Sequence, residues 1–203
     1  MGVEDRMNLL ARLRDRTRPY HEAVEQQLGL LERPWSADQY RALLRRFLGY
    51  YDPIEGRIEA AADWSGLGFD WPRRRKTPLL QRDLLSVGDA PDVVAGLPRC
   101  ADLPDVEGLP QALGCLYVLE GATLGGRVVA RHLRGIPGLA GGTGFSFFSS
   151  YGDEVGPMWR AFGEFLSTWA NSGDETIIKV ACETFTTLGR WLRGMESECA
   201  AGA

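Results

Sequence analysis

The segment Glu120-Gly121-Ala122-Thr123-Leu124-Gly125-Gly126-Arg127 decides the fold, because it places three glycines inside a stretch that is otherwise helical. It belongs to a longer predicted helix, Leu109–Leu133, whose apolar residues recur at helical spacing. A glycine in a helix interior costs about 1 kcal/mol relative to alanine, so three cost on the order of 2–3 kcal/mol. A close contact with the backbone must offset that cost.

Two interpretations account for these glycines. The spacing of Gly121 and Gly125 allows a second helix to pack closely against this one. Alternatively, the bare backbone lets a flat and bulky ligand approach. A phosphate-binding loop is excluded, because the segment has no Gly-Lys-Ser/Thr motif and follows no strand.

The second feature is an imidazole on the apolar face of the first predicted helix, residues 7–28. Glu25 follows His21 by one helical turn, and its carboxylate can accept the Nδ1 proton, which leaves Nε2 free as a metal ligand. The alternative is an ordinary core histidine. The chain has only one other histidine, His132, which we expect at the surface.

The other segments also follow a helical pattern. A second helix is predicted to begin at Ser36, where Gln39 completes a capping box. A further helix is predicted at Thr77 as N-cap, with Pro78 in its first turn. Two final helices are predicted over residues 155–170 and 174–198.

No strand-like alternation is present, so we predict an all-α protein with about six to eight helices. We expect one domain over residues 1–203, with its core at about residues 8–195. Loops are expected at residues 64–78 and 135–144, and at most a short helix at residues 89–104.

Composition excludes several classes of protein. A formal net charge of -4 argues against a nucleic-acid binder, and no run of 18 apolar residues predicts a membrane span. The N-terminus, MGVEDRMNLL, lacks the apolar core of a secretory signal, so a cytoplasmic location is expected. Four widely spaced cysteines without a Cys-x-x-Cys pair argue against a structural zinc site.

Basic residues are concentrated in the run Arg73-Arg74-Arg75-Lys76 and at Arg41, Arg45 and Arg46. They could dock an acidic electron-transfer protein such as a ferredoxin. The favoured interpretation is a solvated surface, because runs of like charge usually serve solubility.

The glycine segment and the histidine together predict a sandwich. One helix offers an imidazole, and another offers a bare backbone surface. A planar macrocycle with a central metal would fit between them.

The residues around these two features resemble the haem oxygenase family, most closely its bacterial members encoded with bacteriophytochromes. Residues 13–25, with Thr17, His21 and Glu25, resemble the proximal helix of that family. Residues 117–127 resemble its distal helix, and residues 147–152 and 159–162 also match that branch. The resemblance spans about residues 8–195.

The resemblance implies an all-α fold with haem sandwiched between the proximal and distal helices. Haem would be both substrate and cofactor, and O2 with an external electron donor would convert it to biliverdin, carbon monoxide and ferrous iron. The implied partners are a ferredoxin or another reductant and a bacteriophytochrome as bilin acceptor. Neither nucleic acid nor a membrane is implied.

On the proximal side, the resemblance makes His21 the iron ligand and Glu25 its orienting partner. Thr17 belongs to the same motif. Arg14 matches a basic position that meets a haem propionate, and Arg160 matches another.

On the distal side, the resemblance places Gly121, Gly125 and Gly126 over bound O2. Tyr117 lies near the distal tyrosine of the family, one position away. Ala122 stands where the animal enzymes have an aspartate that orders water.

This departure at Ala122 leaves proton delivery to another group. The hypothesis is that water is ordered by distal carbonyls or by the Thr123 hydroxyl. The departure at Ala122 also leaves open the alternative of a non-catalytic haem-binding, transfer or sensor protein on the same fold. A third alternative is a thiaminase-like hydrolase, which would require a catalytic cysteine.

Overall fold

The computed structural model describes residues 3–32, 34–137, 139, 143–169 and 173–201, with side chains from residue 9 to residue 193 of these ranges. All regular structure in these ranges is helical, so the all-α prediction is confirmed. The helices are α1 (Val3–Leu28), α2 (Ala37–Ala60), α3 (Trp71–Arg74), α4 (Thr77–Ser86), α5 (Pro91–Gly96), α6 (Leu109–Leu133), α7 (Ser146–Ser149), α8 (Val155–Thr168) and α9 (Asp174–Ala201). Over the described ranges there are nine rather than six to eight, because α3, α5 and α7 are very short.

Two predicted helix boundaries are confirmed. Helix α6 has the predicted bounds, Leu109–Leu133. Helix α2 begins after Ser36, whose Oγ accepts a hydrogen bond from the Gln39 amide at 3.1 Å, while the Ser36 amide donates to Gln39 Oε1 at 3.0 Å. This reciprocal pair is the predicted capping box.

The predicted start of α4 is wrong by one residue. Thr77 is the first helical residue, and Lys76 occupies the N-cap without a side-chain capping bond. The reason is a buried carboxylate on α2. The amides of Lys76 and Thr77 donate to the two oxygens of Glu55 at 2.5 and 3.2 Å, so Glu55 satisfies the helix end from outside.

The expected loop at residues 64–78 contains the short helix α3, where Asp70 accepts a hydrogen bond from the Arg73 amide. Helix α7 was not predicted. Its first amides, at Ser146 and Phe147, both donate to the buried Asp83 carboxylate at 2.8 Å. Residues 138 and 140–142 of the expected loop and residue 170 of a predicted helix lie outside the described residues.

Helix α9 is the centre of the packing and contacts α1, α2 and α6. Helix α8 also contacts both α1 and α6. A Cβ atom at Gly114 of α6 would lie 2.6 Å from the carbonyl oxygen of Ile177, which shows how closely α6 approaches α9. The histidine-bearing α1 and the glycine-bearing α6 therefore pack around the same two helices.

Within the described ranges, α6 is long and apolar enough to cross a membrane, with a mean hydropathy of 1.2 over its most apolar window. However, 56% of that window is buried inside the fold. The core helix of a soluble protein has the same properties, and the structure is compatible with a soluble protein.

Candidate active site

His21 lies on α1 with a side chain that is 49% exposed, so its interpretation as a buried core histidine is wrong. Its Nδ1 atom lies 3.5 Å from Glu25 Oε2, and its ring packs edge-on against Phe185 of α9 at 5.6 Å between centroids. The imidazole thus has a carboxylate and an aromatic ring beside it. No described residue forms a hydrogen bond or ion pair with Nε2, which leaves that nitrogen available to a metal.

A contact between α1 and α6 lies one turn before His21. Thr17 is buried and donates to the Leu13 carbonyl at 2.7 Å, and its side chain is close enough to the Tyr117 hydroxyl of α6 to lower the pKa of that hydroxyl. Burial raises the pKa of the Tyr117 hydroxyl, and the nearby positive charge of Arg14 opposes this shift. Thr17 and Arg14 of α1 therefore both act electrostatically on the Tyr117 hydroxyl of α6.

Gly121 lies one turn after Tyr117 and faces an aromatic ring of α8. A Cβ atom at Gly121 would be 3.9 Å from the Trp159 ring, an ordinary contact distance. The rings of Trp159 and Tyr117 are 5.9 Å apart between centroids. Trp159 was not predicted as a site residue, and its only signal in the sequence was its place in the segment that resembles the family.

The other two glycines of the segment have different surroundings. A Cβ atom at Gly125 would have no other atom within 4 Å, whereas one at Gly126 would lie 2.3 Å from the Phe148 carbonyl oxygen. Close packing against α7 therefore explains Gly126. It does not explain Gly125, which is exposed between the exposed apolar side chains Leu124 and Val128.

Gly126→Ala is expected to destabilise the fold by about 1–3 kcal/mol, because the added methyl group would overlap the Phe148 carbonyl. Gly125→Ala, one residue earlier, is the matched control and is expected to stabilise the fold by about 1 kcal/mol. Urea unfolding of both variants measures the difference. Equal free energies of unfolding would contradict the packing role of Gly126.

Two exposed arginines lie on α1 and α8. Arg14 and Arg160 have exposed side chains, and neither forms an ion pair with any residue of the described ranges. Arg160 follows Trp159 on α8, and no contact joins it directly to His21 or the glycines. Both guanidinium groups are available to anionic groups of a ligand.

Thr123 faces away from this surface. It is buried, and its hydroxyl donates to the Glu120 carbonyl of its own helix at 2.7 Å. Its hydroxyl oxygen can still accept a hydrogen bond.

The expectation of a solvated surface for the basic run is wrong for Arg74 and Lys76, which are buried. Arg74 donates to Glu120 Oε2 at 2.6 Å, and the Lys76 ammonium lies 3.4 Å from Glu120 Oε1. The predicted docking role fails for these two residues, since a partner cannot reach them. Arg73 remains half-exposed and pairs with Glu154.

The basic residues of α2 are also engaged within the fold. Arg45 pairs with the buried carboxylate of Asp89, with Nη2 2.5 Å from Oδ1. Arg46 lies over the Trp191 ring at 4.8 Å. Arg41 donates to the Val87 carbonyl at 2.9 Å.

The three cysteines whose side chains are described do not form a reactive centre. Cys100, Cys115 and Cys182 are free thiols, and burial raises the pKa of each, for Cys115 to about 12. A nucleophilic cysteine needs a lowered pKa, so these thiols do not support the hydrolase alternative. The side chain of Cys199 lies outside the described residues, and no cluster of three His, Cys, Asp or Glu side chains occurs within them.

These observations fit a planar macrocycle with a central metal. An exposed imidazole on α1, an uncovered glycine on α6 with exposed apolar neighbours, and exposed arginines supply a metal ligand, a flat apolar surface and anion partners. A family model described as Heme oxygenase matches residues 7–194.

The chain belongs to the haem oxygenase family. A curated relative named Heme oxygenase, from Xanthomonas campestris pv. campestris (strain 8004), is 36% identical over 129 residues, which cover 62% of this chain and 70% of the relative. The resemblance read from residues 13–25 and 117–127 is therefore confirmed at the level of the family, together with its all-helical fold. Members of this family are enzymes that break down haem.

Proposed function

We propose that the protein binds haem between α1 and α6 and cleaves it to biliverdin, carbon monoxide and ferrous iron, using O2 and an external electron donor. The observation that carries the proposal is the pairing of two uncovered surfaces. His21 on α1 is exposed, a Cβ atom at Gly125 on α6 would meet no other atom within 4 Å, and α1 and α6 both pack against α8 and α9.

His21 is the proposed iron ligand, through Nε2. The Glu25 carboxylate lies 3.5 Å from Nδ1, where it favours the tautomer with the proton on Nδ1, and the Phe185 ring packs edge-on against the imidazole. Bound haem supplies both the iron that activates O2 and the macrocycle that is cleaved. A neutral histidine ligand suits O2 binding by ferrous haem.

The distal surface is proposed to consist of the α6 backbone at Gly121 and Gly125. Gly126 contributes indirectly, because its packing against α7 holds this part of α6 in place. This backbone presents no acidic side chain to the haem face, and Ala122 is exposed. Protons must then come through water held by backbone carbonyls, because the Thr123 hydroxyl is buried away from this surface.

Arg14 and Arg160 are proposed to hold the haem propionates, with Tyr117 beside Arg14. Both arginines are exposed and unpaired with described carboxylates, so binding an anionic propionate breaks no existing ion pair. This local positive charge is needed because the chain as a whole carries a net charge of -4.

The electron donor is proposed to be a ferredoxin or another reductant, and the bilin acceptor a bacteriophytochrome. The electron donor is required by the O2-dependent cleavage proposed here, and the bacteriophytochrome is supported by the likeness of residues 147–152 and 159–162 to the bacterial branch encoded with bacteriophytochromes. A cytoplasmic location accords with these partners.

The proposal is tested by loading the protein with haemin and adding ascorbate or a ferredoxin reducing system under O2. The expected result is loss of the Soret band, a green bilin product and release of carbon monoxide. The control is the same mixture under nitrogen, in which the Soret band should persist. A haem complex that survives O2 and reductant would contradict catalysis and favour a haem-transfer or sensor protein.

A further inference from the structure

The Arg74 guanidinium connects three helices from a buried position. Its side chain is 6% exposed, and that of its partner Glu120 is 2% exposed. Arg74 Nη1 donates to Glu120 Oε2 at 2.6 Å, and both terminal nitrogens lie 3.4 Å from the Met158 carbonyl oxygen. Arg74 lies on α3, Glu120 on α6 and Met158 on α8.

The two groups that Arg74 holds immediately precede site residues. Glu120 comes directly before Gly121, and Met158 comes directly before Trp159 and Arg160. The Trp159 ring lies beside Gly121, since a Cβ atom on Gly121 would be 3.9 Å from it. Arg74 therefore joins α6 to α8 at the residues directly before Gly121 and Trp159, which border the proposed haem surface.

Stability alone does not account for this ion pair. Taking two charges out of water costs several kcal/mol per ion, and a well-packed apolar pair of the same size is often equally stable. However, a planar guanidinium can donate hydrogen bonds to a carboxylate and a carbonyl at the same time. Such a pair of bonds fixes the relative positions of the two helices that carry these acceptors.

The remaining contacts of Glu120 strengthen this geometry. The Tyr151 hydroxyl donates to Glu120 Oε1 at 2.6 Å, and the Lys76 ammonium donates to the Tyr151 oxygen at 2.7 Å. The Arg74 guanidinium also lies over the Phe69 ring at 4.5 Å. Glu120 thus has partners on both carboxylate oxygens and can adopt few alternative positions.

We propose that Arg74 is a positioning residue that sets the orientation of haem and, through it, the carbon of the macrocycle that is cleaved. It acts through Glu120 on the α6 backbone and through the Met158 carbonyl on Arg160. This inference rests on the proposed function, in which Arg160 binds a propionate while Gly121 and Gly125 face the ring. A shift of α8 relative to α6 would turn or tilt the ring between these two supports.

The test uses Arg74→Lys, which keeps the buried positive charge but loses the fork that reaches two acceptors. Ferric haemin complexes of wild type and variant are compared by Soret absorbance, Soret circular dichroism and the isomers of biliverdin formed. The expected result is an unchanged Soret absorbance with an altered Soret circular dichroism and a rise of about tenfold in the ratio of minor to major isomers. Arg73→Lys, which alters the half-exposed neighbouring pair with Glu154, is the control and should match wild type.

A folded Arg74→Lys protein with wild-type dichroism and isomer ratio would overturn the inference. Glu120→Gln is the second variant, since it keeps the shape of the side chain and removes only its charge, and it should give the same altered dichroism. If both variants lose their helical signal, the pair is purely structural and the inference also fails. Failure of the proposed function is seen separately, because wild type would then yield no biliverdin.

Discussion

His21→Ala is expected to remove the axial histidine from ferric haem and to lower biliverdin formation on the order of 100-fold or more. The imidazole is the only one on α1, it is exposed, and Glu25 and Phe185 hold its orientation. The measurement is the absorption and resonance Raman spectrum of the haemin complex, where the iron–histidine vibration should disappear. Added imidazole should restore that vibration in part, because the site is open to solvent.

His132→Ala is the matched control. His132 is exposed in the last turn of α6, and its removal should change neither the spectrum nor the rate. Glu25→Gln should give an intermediate result, with the iron–histidine vibration shifted but retained, since it removes only the carboxylate that accepts the Nδ1 proton. An unchanged spectrum in His21→Ala would move the iron ligand away from α1.

Gly125→Leu is expected to abolish haem turnover while leaving the protein without haem as stable as wild type or more so. A Cβ atom at this position would meet no other atom within 4 Å, and leucine is a better helix former than glycine by about 1 kcal/mol. Its isobutyl group would instead occupy the space proposed for haem. Haemin titration and thermal unfolding, measured on the same variant, separate the two effects.

Gly56→Leu on α2 is the control for Gly125→Leu. Gly56 is also an exposed glycine inside a helix, and a Cβ atom there would meet no atom within 4 Å. It should show the same gain in stability with normal haem binding. Wild-type turnover by Gly125→Leu would contradict the proposal that haem approaches this backbone.

Local signals in the sequence were sufficient for the long helices. The capping box at Ser36 and the apolar spacing of Leu109–Leu133 each involve residues within a few turns of one another. The start of α4 depends instead on Glu55, which lies on another helix, and α7 depends in the same way on Asp83. When a helix end is capped by a residue distant in sequence, the sequence around that helix contains no signal for the cap.

The candidate site shows the same limit. The sequence singled out His21 and the glycine segment, but it could not separate Gly125 from Gly126. The two positions differ because the Phe148 carbonyl oxygen of α7 lies close to Gly126 and not to Gly125. The sequence also predicts a solvated surface for the basic run, whereas Arg74 is buried. Its partner Glu120 is 46 residues away in sequence, so no local pattern indicates the ion pair.

The most direct test of this account is a crystal structure of the protein with ferric haem. His21 Nε2 is expected to bind the iron, and the opposite face of the ring is expected to lie against the α6 backbone at Gly121 and Gly125. Arg14 and Arg160 should contact the propionates. Iron bound by a residue other than His21, or haem bound outside the space between α1 and α6, would contradict it.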